Sequence, residues 1–157
     1  MKLYHGSNIL IDKIELAKSK PNKDFGKGFY LSDTYPQAME MAKFKSLQLG
    51  GEPAVSSFEF DKDGMWAADL NIKVFTDYSE EWIDFIIKNR NGKINHNFDF
   101  VYGPIANDKV GRQLRLFNDG DITRQQLMER LKYFKGISFQ YFFGTEMALK
   151  FLKRVVD

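Results

Sequence analysis

The sequence predicts an α+β fold, and two observations carry the prediction. Segments with the two-residue apolar alternation of strands and segments with the 3.6-residue spacing of helices both occur along the chain. They do not follow the regular strand-helix-strand order that builds a doubly wound parallel sheet. Strands near the two chain ends are placed to meet in one sheet. With no internal repeat, low-complexity linker or proline-rich break to mark a boundary, residues 1–157 read as a single domain.

Lys2 to His5 reads as a short opening strand. Lys18 to Asp24, rich in Lys, Ser, Pro and Asn, reads as an exposed loop, and Phe25 to Ser32 follows as a strand entered through glycines. Alternation puts Gly28, Tyr30 and Ser32 on one face of that strand, with Phe29 and Leu31 on the other. Thr34-Tyr35-Pro36-Gln37 has the form of a capping box with proline in the first turn, opening a helix that covers Ala38 to Leu49 and stops at Gly50-Gly51. Val55 to Asp61 alternates as a strand, Glu80 to Asn89 carries a helical set of apolar residues, and Phe98 to Tyr102 is again a strand. Asp121 to Phe134 is helical, with Leu127, Met128 and Leu131 inward and Gly136 as its stop. Ile137 to Phe143 reads as the last strand. Residues 137, 139, 141 and 143 share one apolar face, and Ser138, Gln140 and Phe142 share the other. A final helix begins near Thr145, a suitable N-cap.

Composition removes several functional classes. Hydrophobic residues at 43%, with 15 Phe, supply the apolar area that an ordered core needs and argue against disorder. The balance of 23 Lys and Arg against 21 Asp and Glu gives no general attraction to polyanions, so any such ligand must be recognised locally. The absence of cysteine excludes disulfides, thiolate nucleophiles and Cys-based metal sites, and fits a cytoplasmic protein. No secretory h-region opens the chain, and no apolar stretch reaches the length of a membrane span.

Standard nucleotide and hydrolase signatures are missing. Gly26-Lys27-Gly28 lacks the third glycine of a dinucleotide fingerprint, and no Walker-type loop or Gly-x-Ser-x-Gly elbow occurs. The only histidines, His5 and His96, lie in unrelated contexts, which gives little support to metal chemistry. What remains is a pair of segments, Leu3-Tyr4-His5-Gly6-Ser7 and Phe25-Gly26-Lys27-Gly28-Phe29-Tyr30-Leu31-Ser32.

In their order, spacing and following helix with Gln37-Ala38, these segments resemble the first two motifs of ADP-ribosyltransferases of the diphtheria-toxin and poly(ADP-ribose) polymerase branch. There, His-Gly-Thr/Ser is followed by Gly-x-Gly-x-Tyr. Nearly the whole chain is also similar to a bacterial family of uncharacterised proteins in that superfamily, through Tyr102 to Asp108 and Gln140 to Leu149. The resemblance implies a mixed, mainly antiparallel β core with an NAD cleft and flanking helices.

It also implies roles. Gly6 would bond the nicotinamide carboxamide through its backbone, His5 would hold the adenosine ribose hydroxyl with Ser7 beside it, and Gly28 would be a cofactor-binding residue on the same face as Tyr30, which would stack on the nicotinamide. Taken alone, His5 would be an ordinary strand-end histidine and Tyr30 a core aromatic. Met41 stands where many relatives supply a second ring, and Gln140 stands where the better-known enzymes carry a catalytic glutamate. Gln140 can orient the ribose but holds no charge. Glu146 is the nearby acid that would compensate, although a carboxylate at a helix start also complements the helix dipole. Asp108 is a loop acid that would equally suit an Asx turn. Lys109, Arg112 and Arg115, with Lys150, Lys153 and Arg154, would touch diphosphate or a nucleic-acid target, or form solvated helix faces.

The implied function is transfer of a single ADP-ribose from NAD, without a metal, to a protein or nucleic-acid acceptor. The alternatives are an NAD- or ADP-ribose-binding module with little or no turnover, and a toxin-like interaction protein with an antitoxin partner.

Overall fold

The computed structural model describes residues 1–156. Its strands form two sheets. In the first, β1 (Lys2–Ser7), β3 (Ala54–Phe60) and β7 (Leu152–Val155) run antiparallel in the order β1-β3-β7. In the second, the order is β2 (Phe29–Leu31), β6 (Phe139–Phe143), β5 (Phe100–Pro104) and β4 (Ile72–Val74), antiparallel except for the β4-β5 pair. The fold is therefore α+β with one antiparallel and one mixed sheet. First and last strands share a sheet, but the last strand is β7. The 137–143 segment, expected to end the strand set, belongs to the other sheet.

A single antiparallel bridge, Tyr4 with Ser32, joins the sheets. From that joint they fold over a shared core in which Leu3, Phe58 and Phe60 of the first sheet meet Phe29, Leu31, Phe100, Tyr141 and Phe143 of the second. The outer face of the second sheet carries Val101 and Phe142. It is covered by α3 (Glu80–Arg90), α4 (Asp108–Asn118) and α5 (Arg124–Leu131) through Trp82, Ile83, Ile86, Val110, Leu114, Leu127 and Leu131. Both faces of β6 are thus buried, which explains why its sequence is apolar at consecutive positions. α1 (Tyr35–Leu49) packs on the outer face of the first sheet. There the backbone of Gly6 approaches the helix so closely that a Cβ would lie 1.8 Å from the Ala38 carbonyl oxygen.

Several expected boundaries shift for local reasons. Phe25 to Gly28 is not strand: Gly26 has φ +93, and the chain becomes extended only at Phe29. α1 starts at Thr34 as expected and ends at Gly50 and Gly51, both at positive φ. The Thr34 side chain makes no cap bond, however, and lies 3.5 Å from the Ser32 hydroxyl instead, so the capping box is not formed. A complete box occurs at Thr123 with Gln126, starting α5 later than expected. Asp61, placed in a strand, instead caps the short helix α2 (Lys62–Ala67) by accepting from the Gly64 N–H. Asn107 caps α4 by accepting from Val110, which settles Asn107-Asp108 as a helix start. The final helix, α6 (Glu146–Leu149), is a single turn behind Thr145. Among the described residues, no helix is long and apolar enough to cross a membrane.

Candidate functional site

The geometry of the site follows from the Tyr4-Ser32 bridge. Those two residues exchange both backbone hydrogen bonds at 2.8 Å, so both point their N–H and C=O groups across the β1-β2 joint. In a strand every second residue presents its backbone to the same edge. Gly6 and Tyr30, each two residues beyond the bridge, therefore face each other across the same joint. No β1-β2 ladder continues between them. The strands part there, leaving two unzipped edges.

Side chains occupy the separated edges. His5 Nδ1 lies 2.6 Å from the Tyr30 carbonyl oxygen, and Lys45 Nζ donates to the Gly6 carbonyl at 3.0 Å. A carbonyl only accepts, so His5 Nδ1 carries the proton. Burial, reinforced by the nearby Lys45 and Lys23 charges against the pull of that bond, lowers the His5 pKa to about 3. His5 is thus the neutral Nδ1-H tautomer near neutral pH, and its Nε2 is an acceptor. Its ring stacks on Phe29 with centroids 4.2 Å apart.

Tyr30 uses its hydroxyl to fold the approach to its own strand. The oxygen accepts from Phe25 N–H at 3.0 Å and donates to the Gly26 carbonyl at 2.6 Å. Burial above all raises its pKa well beyond the ordinary phenol range. The hydroxyl is therefore committed, and only the ring is available to a ligand. The ring packs against Phe142 on the neighbouring strand and against Phe25, and Lys23 Nζ stands 5.5 Å from its centroid. Gly28 admits Phe142 to this arrangement, since a Cβ there would lie 2.3 Å from the Phe142 ring.

The approach loop is held from outside. Asn89 Nδ2 donates to the Asp24 carbonyl at 3.1 Å, Arg90 pairs with the Asp24 carboxylate at 2.6 Å, and His96 Nε2 donates to the Phe25 carbonyl at 2.5 Å. His96 Nδ1 accepts from the Phe98 N–H, which fixes the proton on Nε2. The second histidine thus supports the loop of the first motif pair. No sequence signal pointed to it.

Residues of β1, β2, the segment between them and α1 line a cleft of about 760 Å³, within the range of small-molecule sites, while Asn89, Arg90 and His96 stay behind the loop. Of the residues singled out in the sequence, His5, Gly6, Ser7, Gly28, Tyr30, Met41 and Gln140 all line it. Gln140 sits on the Phe142 face of β6, and its amide nitrogen is buried with no partner. Such a donor is costly unless something accepts from it. Glu146 is not brought to the cleft. It begins α6, past the end of β6 remote from Gln140, roughly 10 Å or more along the chain at strand rise. Asp108, at the start of α4, does not line it either, although Ile105 does. Of the expected basic residues, Arg154 is consumed by the Ile11 and Ser57 carbonyls, and Lys150 and Lys153 border a separate groove of about 570 Å³.

The cations that do reach the cleft were missed. Lys13, Lys18, Lys20 and Lys23 come from the segment between β1 and β2, and Lys45 comes from α1. Among the described residues Lys20, Lys23 and Lys45 form no ion pair; of the cleft acids, Glu15 is paired with Lys18, Asp24 with Arg90, and Asp12 with no cation. Burial is the main cause that lowers the Lys45 pKa to about 8, with Lys23 and Lys20 adding to it. Lys23 is lowered by burial and then by Lys20. Position i+7 from Ala38 on the buried side of α1 was the one signal for Lys45. Among the described residues, no group of three or more His, Asp or Glu is placed to hold a metal ion.

No curated protein and no solved structure matches the chain. The family model described as a protein of unknown function, DUF3990, matches residues 1–154, and the chain belongs to that family.

Proposed function

We propose that the cleft binds NAD and that the protein transfers one ADP-ribose to a protein or nucleic-acid acceptor. The observation that carries the reading is the parted β1-β2 joint. Gly6, His5 with its free Nε2, Tyr30 and Gln140, whose buried amide nitrogen has no protein partner, line one cleft from three separate strands. Each matches a demand of the ligand: an amide edge for the carboxamide, an acceptor for a ribose hydroxyl, a ring for the nicotinamide and an amide donor for ribose oxygen. The resemblance of His5-Gly6-Ser7 and Gly26 to Tyr30 to ADP-ribosyltransferase motifs points the same way.

In the reaction the bond between ribose C1′ and the nicotinamide nitrogen breaks, and its electron pair leaves with nicotinamide as a neutral base. The acceptor nucleophile forms the new bond at C1′ from the opposite face and gives up its proton to solvent, inverting the configuration. Gln140 orients the ribose without stabilising its positive charge, which suits a single transfer better than chain growth. Incubation with NAD releases nicotinamide and adds one ADP-ribose mass to an acceptor, and His5→Ala abolishes both. Absence of release with every protein and nucleic-acid acceptor tried contradicts the transferase.

A second reading, binding without turnover, is favoured by the neutral Gln140 and by Lys23 standing on the Tyr30 ring. Calorimetric binding of NAD or ADP-ribose without nicotinamide release supports it.

A further inference from the structure

We infer that Lys20, Lys23 and Lys45 form a seat for the diphosphate of the ligand, and that the cleft consequently takes ADP-ribose in preference to NAD. The preference rests on the ADP-ribosyl reading above; the anion seat does not.

The three lysines converge on the cleft from two elements, and among the described residues none makes an ion pair, the Asp24 carboxylate near Lys23 being engaged by Arg90. Lys20 is exposed, as a solvated surface lysine is, but Lys23 and Lys45 are not. Here Lys45 is half-buried with its Nζ on the Gly6 carbonyl, and Lys23 is half-buried with its Nζ over the Tyr30 ring. Gathering like charges in a partly desolvated place is unfavourable, as the lowered proton affinity of Lys23 and Lys45 reflects. A doubly charged diphosphate relieves that repulsion and replaces lost hydration with charge-assisted hydrogen bonds. The amide nitrogen of Gln140, a residue of the same cleft, has no protein partner and would donate to such an acceptor-rich ligand.

The same charges work against the cationic end of NAD. A pyridinium ring stacked on Tyr30 must displace the Lys23 ammonium, because both seek one ring face. It must then remain among three lysines that form no ion pair, with Gln140 in place of a carboxylate. ADP-ribose keeps the diphosphate and lacks the pyridinium, so it gains the attraction without the repulsion.

Calorimetry with ADP-ribose, NAD and inorganic pyrophosphate, on the unaltered chain and on Lys23→Met, tests the inference. Lys23→Met keeps the length of the side chain and removes its charge. The expected result is ADP-ribose binding about tenfold or more tighter than NAD, with pyrophosphate competing. In Lys23→Met, ADP-ribose and pyrophosphate weaken more than NAD, which shares the diphosphate but is freed of the repulsion on its pyridinium, so the ratio narrows. NAD affinity equal to or above that of ADP-ribose, or a ratio unchanged in Lys23→Met, overturns the preference and leaves the ADP-ribosyl reading standing. Pyrophosphate binding that Lys23→Met abolishes, with neither nucleotide bound, overturns the ADP-ribosyl reading and supports the anion seat. No binding by any of the three overturns both.

Discussion

His5 illustrates how a single contact fixes a residue's chemistry. A buried imidazole beside two ammonium groups cannot accept a proton cheaply, and the Tyr30 carbonyl dictates which nitrogen keeps the one it has. The folded-state pKa of about 3 lies below the ordinary 6.5. The stability associated with neutral His5 is thus fully present above pH 6.5 and is lost as pH falls toward 3, because the unfolded chain binds the proton first. Thermal melts should fall over that window, and His5→Gln should flatten the part of the decline due to this group. Lys45 behaves in the complementary range: between pH 8 and 10.5 its deprotonation in the folded state makes stability rise with pH. Gly6 shows a different lesson. Its missing Cβ is used by α1, and the ligand-facing groups are its backbone, so Gly6→Ala should cost at least about 1–3 kcal/mol in chemical denaturation.

At the level of elements, the parts of the site with strong local signals were legible. The first strand, the helix ended by Gly50-Gly51, and the alternation that separates Tyr30 from Phe29 and Leu31 all follow from residues adjacent in sequence. α2, β4, α4 and β7 were not named as elements. β4 and β7 are three and four residues long, and their stability comes from partners distant in the chain. α4 carries Gly111 within it, and its N-cap Asn107 fits a simple turn equally well. The contacts that brace the second motif were equally hidden, since Asn89, Arg90 and His96 act on Asp24 and Phe25 across the fold. Asn89 is buried and also bonds the Phe85 carbonyl at 2.8 Å. Asn89→Ala should destabilise by about 1–3 kcal/mol and should speed amide hydrogen exchange in residues 23–30 more than elsewhere. Uniform exchange across the chain would assign Asn89 to the core and not to the loop.

For the whole molecule, one architectural fact organises the rest. Two sheets share a single bridge, and the cleft opens where their paired edges separate. This placement gathers residues from distant parts of the chain, so the motif resemblance offered His5, Gly6, Ser7, Gly28 and Tyr30, which line the cleft, with Gly26 and Lys27, which do not, and gave no sign of Lys20, Lys23 and Lys45. Under the proposed function it would also separate holding a ligand from transforming it. Gln140 occupies the cleft with no charge, and Glu146 lies too far along the chain to supply one. Gln140→Glu should therefore raise the rate of nicotinamide release about a hundredfold, by adding a preorganised charge at the forming cation. No gain with NAD still bound would assign the cleft to binding alone.

The central claim is that His5 Nε2 receives a hydroxyl of an ADP-ribosyl ligand. Nitrogen-15 spectra of the two histidine rings during titration with ADP-ribose and then NAD test it directly. The account predicts that free His5 shows the Nδ1-H tautomer, that its Nε2 signal moves with the shift of a newly accepted hydrogen bond at saturation, and that His96 stays in place. A His5 signal unchanged at saturating concentrations of both ligands would contradict it.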